Sequence, residues 1–400
     1  MGYRLKVAFD ARSLTSVALR GWDRYTVGLV RALGARGLDV TLFHLMGQPP
    51  REEHVADLGC ELLPITGRDG MFWEQVAVPQ ALAAGNFALF HGPAERSAPL
   101  FARCPTVLTF HSATVPSYAS LIDRGLLGGD LSDYVGAGPM AVSPRAHYVM
   151  AQLRWADHLA TPSEFCRDEI IRFLGVPADR VTTTLLGLPD QFTGPRNPAR
   201  TAATLSRLSI RRPYVLYVGG YEAHKNVSTL LATFRNLKNA RPGLAMVLVG
   251  TGPVPAELLS KAREIGSVTC LSDLGDELTD LYDGAKLFIS MSWRETFCLP
   301  ALEALARGCP VITSEWGVAG EIVGRHGLLV DPRRDDLAAA AALTLLERDN
   351  TTAAAESRKH ALQFSWGKTA EKTIAMYDQL LQRSPRRRDR LVRQFTERST

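Results

Sequence analysis

The stretch from Ser292 to Thr313, SWRETFCLPALEALARGCPVIT, places two carboxylates, Glu295 and Glu303, around the start of one helix. Pro300 sits where a first helical turn begins, and Glu303 falls three residues later. Gly308 with Pro310 then ends the helix before a short apolar strand, Val311 to Thr313. Such a helix starts at a strand end. In an open parallel sheet the ligand crevice lies at the carboxyl ends of strands, and a helix N-terminus there offers N–H groups and partial positive charge to an anion. Carboxylates accept hydrogen bonds from hydroxyls, so Glu295 in the loop and Glu303 on the first turn could grip the sugar and ribose of a phosphorylated ligand. A plainer reading also accounts for Glu303, which at that position complements the helix dipole.

Working outward, short β-rich runs recur with helical patterns between them. They read Leu5 to Phe9, Val40 to His44, Phe87 to His91, Thr106 to Phe110 and Val181 to Leu186 in the first half. The second half restarts the scheme with Tyr214 to Val218, Ala245 to Val249, Val268 to Leu271, Leu287 to Ser290, Val311 to Thr313 and Leu328 to Val330. Alternating βα units imply an α/β fold of helix-covered parallel sheets. Two Rossmann-like, doubly wound domains with a ligand cleft between them are therefore expected, over residues 1–195 and 205–365. The polar, proline-bearing segment Asp190 to Pro213 shows no strong apolar period, which sets a linker near residues 190–205. An amphipathic helix follows over 366–382, with Trp366, Ile374, Tyr377 and Leu380 near helical spacing. Its stripe needs another surface, and packing back across the hinge is one solution.

Composition narrows the class. Four hundred residues, 46% of them hydrophobic, suit a globular chain of two ordinary domains. Six scattered cysteines, with no CxxC pair, argue against a zinc site or a disulfide framework, so a reducing cytoplasm fits. No run approaches the about 18 apolar residues of a membrane span, and the opening MGYRLKVAFDAR reads as a strand where a signal peptide would need an apolar stretch. The net charge of +5 equals that of residues 383–400, whose seven arginines face only Asp389 and Glu397. The body is close to neutral and lacks the basic face of a nucleic-acid binder. The tail is either a solvated end or a contact for an acidic lipid surface, which would make the chain cytoplasmic and peripheral on the inner face of a membrane.

Other constellations converge on an anion. In PYVLYVGGYEAHKNVSTLLATFRNL a strand ends at Gly219 and Gly220, and Lys225 stands at the entrance of a helix opening near Asn226. The glycines allow close approach of backbone, and the lysine is a compact charge suited to a diphosphate. Gly21, before a helix over Trp22 to Leu33, offers the same approach in the other domain. His111 and His91 each end an apolar strand, where a histidine either donates to a ligand oxygen or is satisfied in the structure.

Absences also decide. The first βα turn lacks GxGxxG, and no Walker lysine motif, HExxH, GxSxG or Asp-x-Asp occurs. Neither a cofactor nor a metal site is expected, and charge on a leaving group falls to Lys225, amides and helix ends.

These residues resemble the family 4 retaining glycosyltransferases, which have the two-domain GT-B fold. The resemblance runs through most of the chain. It rests on Glu295, Phe297, Leu299, Pro300 and Glu303, in the family's pattern of two glutamates with seven residues between them. In order it also includes FDARSL and GWDRYTVGLVRAL near the N-terminus, FWEQVAVP at Phe72, LTFHS at His111, ATPSEFCRDEII at Ala160, YVGG with HKN at Lys225, and LSDLGDELTDLY. It implies a nucleotide-sugar donor in the C-terminal domain, with Glu303 on the ribose, Lys225 on the diphosphate and the base near Asp273 and Leu274. Glu295 and the backbone of Phe297, Cys298 and Leu299 would hold sugar hydroxyls, while His111 reaches the transferred sugar. Retention in this family is thought to need no covalent intermediate, so catalysis is positioning and charge stabilisation. Gly220 stands where the family commonly has an arginine, for which Arg294 is a candidate substitute. Thr296 and Cys298 stand where glycines are frequent, and Asp23 replaces another. The alternatives are a GT-B scaffold that binds a sugar nucleotide or glycan without turnover, and a sugar-nucleotide epimerase. The acceptor hydroxyl is not identified; the Gly-, Ser- and Asp-rich stretch from Ser112 to Pro144 is the candidate acceptor loop.

Overall fold

The structure, a computed structural model, describes residues 5–16, 19, 21–94, 97–111, 144–250 and 252–383. The candidate acceptor loop, apart from Pro144, and the basic tail beyond Arg383 lie outside the described residues. Two units result: one holds the described residues up to 187 together with Trp366–Arg383, and the other runs from 188 to 365.

The first unit is built on a seven-stranded sheet in the order β3-β2-β1-β4-β5-β6-β7. Its strands are β1 Lys6–Asp10, β2 Asp39–Leu45, β3 Glu61–Ile65, β4 Leu89–Gly92, β5 Thr106–Thr109, β6 His158–Thr161 and β7 Val181–Thr183. The second unit has a six-stranded sheet in the order β10-β9-β8-β11-β12-β13. Its strands are β8 Tyr214–Val218, β9 Ala245–Gly250, β10 Val268–Ser272, β11 Leu287–Ser290, β12 Val311–Ser314 and β13 Leu328–Val330. Neighbouring strands pair in parallel in both sheets. Chain direction across the sheet reverses between β1 and β4 and again between β8 and β11, and at such points the loops after the two strands part to leave a crevice.

The cores are what buried parallel strands require. In the second unit Leu230, Leu231, Phe234 and Leu237 of the helix Val227–Ala240 meet Val215, Met246, Leu248 and Ile289 of the sheet. Each such side chain contributes about 1.5–3 kcal/mol. Ala338, Ala339 and Ala342 let the helix Asp335–Glu347 join the same core.

The helix Pro198–Arg207 stands where the sequence led to a linker near residues 190–205, and the break between units falls at 187/188. Asn197 caps it by accepting from the Arg200 amide at 3.0 Å, and Thr201 and Thr204 donate to buried Asp280 at 3.1 and 2.9 Å. Its inner face is held largely by hydrogen bonds to a carboxylate, which an apolar period does not reveal.

The helix Trp366–Arg383 belongs to the first unit and lies against the helix Gly21–Gly34. A Cβ on Gly28 would stand 2.3 Å from the Trp366 ring. Gly28→Ala is therefore expected to cost about 1–3 kcal/mol by overpacking, read as a lower denaturant midpoint; an unchanged midpoint would refute the close approach. Beneath it, Tyr377 Oη pairs with His91 Nδ1 at 2.5 Å, and His91 Nε2 pairs with Thr109 Oγ1 at 2.6 Å. Burial, with His111 nearby, pushes His91 down to about 3. His91 is thus a neutral core residue.

Candidate functional site

Lys225 and Glu295 occupy the two loops that part at the switch point of the second sheet. Lys225 ends a short turn, Ala223–Lys225, after β8, and Glu295 follows β11. Asn226, at φ 51°, donates from Nδ2 to the carbonyls of Met291 and Pro332 at 2.9 and 2.8 Å, and the Trp293 amide donates to the His224 carbonyl at 2.8 Å. These bonds lock one loop to the other. Lys225 Nζ then donates to both oxygens of Glu295 at 2.8 and 2.9 Å, and Ser292 Oγ donates to Oε1 at 2.7 Å. Burial opposes both charges, yet each partner outweighs it: Lys225 is held above its ordinary value and Glu295 below. The pair is ionised and preorganised.

Gly219 and Gly220 follow β8 as expected. The Gly219 amide donates to the Val249 carbonyl at 2.9 Å and is committed to the backbone. A Cβ there would come within 2.7 Å of the Tyr217 hydroxyl, so close packing also explains this glycine.

The helix expected after Glu295 spans Leu299–Ala306, with Pro300 in its first turn and Cys298 at its N-cap in the left-handed region at φ 62°. No side chain caps it, which leaves the end to accept negative charge. Phe297, Cys298 and Leu299 are buried. Glu303 is fully buried and accepts from the Tyr282 hydroxyl at 2.9 Å. Asp273 and Leu274 follow β10, Asp273 exposed with φ 53°. Arg294 is buried.

His111 and Gly21 lie in the first unit. His111 follows β5, and its Nε2 lies 2.9 Å from the Pro93 carbonyl, which assigns the proton to Nε2 and the lone pair to Nδ1. Burial pushes it down to about 4, so it is neutral near pH 7 and offers Nδ1 as an acceptor for a hydroxyl. Gly21 opens the helix Gly21–Gly34, and a Cβ there meets nothing within 4 Å. Packing does not explain that glycine.

Sequence reasoning missed the groups at the first sheet's switch point. Arg12, just after β1, donates to Asp10 Oδ2 at 2.8 Å, Glu74 Oε1 at 2.9 Å, Asp69 Oδ1 at 2.5 Å and Ser97 Oγ at 2.7 Å. Its guanidinium also lies 4.0 Å from the Trp73 ring centre. Asp10, Arg12 and Glu74 are all buried. FDARSL and FWEQVAVP contain these residues, and a carboxylate at a strand end and one among apolar residues were the available signals.

Two parallel-sheet α/β units of seven and six strands make this a GT-B fold. Anabaena HepE, solved in complex with UDP-glucose, superposes with a TM-score of 0.71 at 15% identity, covering 94% of this chain and 99% of that one. The model for glycosyl transferases group 1 matches residues 212–348, and that for glycosyltransferase family 4 matches residues 19–190. The chain belongs to the family 4 glycosyltransferases. Among its relatives are the O-antigen chain mannosyltransferase B of Escherichia coli, 34% identical over 55% of this chain and 60% of that protein, and the D-inositol 3-phosphate glycosyltransferase of Rhodococcus jostii (strain RHA1), 30% identical over 68% and 61%. The matched part thus spans about three fifths of each of these relatives.

Proposed function

We propose that the chain is a retaining glycosyltransferase that moves a hexose from a UDP- or GDP-linked donor to an acceptor hydroxyl in glycan or glycolipid synthesis. The observation that carries this reading is the ionised Lys225–Glu295 pair at the switch point of the second sheet, beside an uncapped helix N-terminus. A donor diphosphate would draw Lys225 from Glu295, and Glu295 would then accept from sugar hydroxyls. Glu303 is assigned to the ribose, Asp273 and Leu274 to the base, and His111 to a hydroxyl of the transferred sugar. The acceptor attacks on the face the diphosphate leaves, Lys225 and the helix end stabilise the developing phosphate charge, and no cofactor is invoked. The relatives' names, one a mannosyltransferase, and the UDP-glucose held by HepE support a sugar nucleotide. No described helix is long and apolar enough to cross a membrane.

Thermal stabilisation by UDP, GDP, ADP and TDP tests this. One nucleotide is expected to raise the melting temperature, and Lys225→Ala and Glu303→Ala are each expected to remove the shift. At one hundred times the dissociation constant the stabilisation is about 2.7 kcal/mol. No shift with any nucleotide would sink the transferase reading and favour the scaffold.

A further inference from the structure

At the amino-terminal edge of the first sheet, opposite the strand ends that lead to His111, lies a cavity of about 430 Å³. Small-ligand sites occupy about 300–1,000 Å³. Three guanidiniums line it: Arg154 from the end of the helix Pro144–Trp155, Arg180 from the turn before β7, and Arg383 from the last turn of the helix Trp366–Arg383. Met376 and Leu380 stand seven and three residues before Arg383 and, both buried, give the cavity an apolar wall beside Trp155.

The charges there do not cancel among themselves. Arg180 Nη2 donates to the carbonyls of Leu153 and Arg154 at 3.3 and 3.4 Å and to that of Ala156, closing the end of its neighbouring helix. Arg154 and Arg383 are exposed, and among the described residues neither forms an ion pair or donates a hydrogen bond. Of the two carboxylates in the lining, Asp157 is engaged by the Thr106 amide and hydroxyl at 2.8 and 3.1 Å, and Asp179 lies exposed. His158 pairs with Thr182 Oγ1 at 2.8 Å, and burial, then Arg180 and Arg383, push it down to about 4. It is neutral near pH 7 and registers the positive field.

We propose that this cavity binds a phosphomonoester or diphosphate group, carried by a small metabolite or a lipid headgroup. Converging guanidiniums match a multivalent oxyanion, which offers more acceptor oxygens and more negative charge than a single carboxylate. The apolar wall lowers the local dielectric and strengthens each contact. The four-residue strand β6 separates this edge from the chemistry end of the sheet by about 10 Å at about 3.3 Å per residue, so an occupant here leaves that end open.

The test follows the His158 ring by NMR, assigned with His158→Gln, while pyrophosphate is added near neutral pH. The His158 signal is expected to move in the wild type and in Lys225→Ala, which lacks the donor-site cation. Arg154→Ala with Arg383→Ala should weaken binding about tenfold or more, while Asp179→Asn, with every cation in place, should tighten it about threefold. Sedimentation with phosphatidylcholine vesicles, with and without phosphatidic acid, separates the sources. Binding to phosphatidic acid vesicles that the double variant loses, without a pyrophosphate response, assigns the lipid headgroup. Absence of both responses, equal binding by the double variant, or weaker binding by Asp179→Asn would overturn the proposal.

Discussion

Lys225→Ala is expected to cut turnover of a nucleotide-sugar donor by about 10²–10³-fold, the usual loss when one preorganised charge-stabilising group is removed. Lys225 stands 2.8 Å from Glu295 in a part-buried pair, so the substitution also strips a carboxylate of its counter-ion. Burial, the largest influence on Glu295, is then opposed only by the Ser292 hydrogen bond and His224, and should move its pKa upward, reversing the present direction. Residual activity of the variant should therefore rise with pH across a range where the wild type is flat. Glu295→Gln separates the two roles. Without a competing carboxylate, Lys225 should bind a nucleoside diphosphate about three- to tenfold more tightly, while turnover of the sugar donor falls. Because the two residues act as a unit, Lys225→Ala with Glu295→Gln should cost little more than Lys225→Ala alone. Additive losses would separate the pair in function.

Arg12→Met is expected to destabilise the first unit by about 3–5 kcal/mol, the usual consequence of leaving buried carboxylates without their cation. Arg12, Asp10 and Glu74 expose only 5%, 7% and 3% of their side chains. Asp10 is held below its ordinary value because Arg12 outweighs burial. A depressed carboxylate stabilises the fold above its unfolded value, about 3.9, and that contribution is lost as pH falls through the folded value. Wild-type stability should be level between about pH 7 and 5 as far as Asp10 is concerned. In Arg12→Met burial instead raises Asp10, so stability should increase on mild acidification. Adding Asp10→Asn and Glu74→Gln should recover at least half of the loss. Urea midpoints across this pH range decide it, and a variant as stable as the wild type would show that the cluster holds nothing together.

The second unit was the more legible half. Tyr214–Val218 and Leu287–Ser290 match the sequence reading residue for residue, since buried parallel strands are short continuous apolar runs, and so does the edge strand Leu328–Val330, apolar though its leucines are exposed. In the first unit β3 escaped notice because it is an edge strand with Pro64 inside and mostly exposed side chains. The strand β6, His158–Thr161, escaped because four residues beginning with histidine carry little apolar signal. Lys225, Glu295 and Glu303 were readable from helix starts and strand ends. Their partners were not: Ser292 meets Glu295 because of a loop conformation, and Tyr282 reaches Glu303 from another helix 21 residues away. Arg12 gathers carboxylates from 2 to 62 positions off, a set that only the folded sheet assembles.

The Leu188 amide donates to the Phe364 carbonyl at 2.9 Å, so the two ends of the second unit are tied to each other. The whole of that unit is one uninterrupted length of chain, inserted between Gly187 and Trp366. An insertion with adjoining ends can be exchanged at two nearby peptide bonds without creating a loose terminus. Lys225, Glu295 and Glu303 all travel inside it, while His111 and the arginine-lined cavity stay behind. Recombination between relatives would therefore pass the proposed donor site on as a single cassette, leaving the first unit to its own lineage.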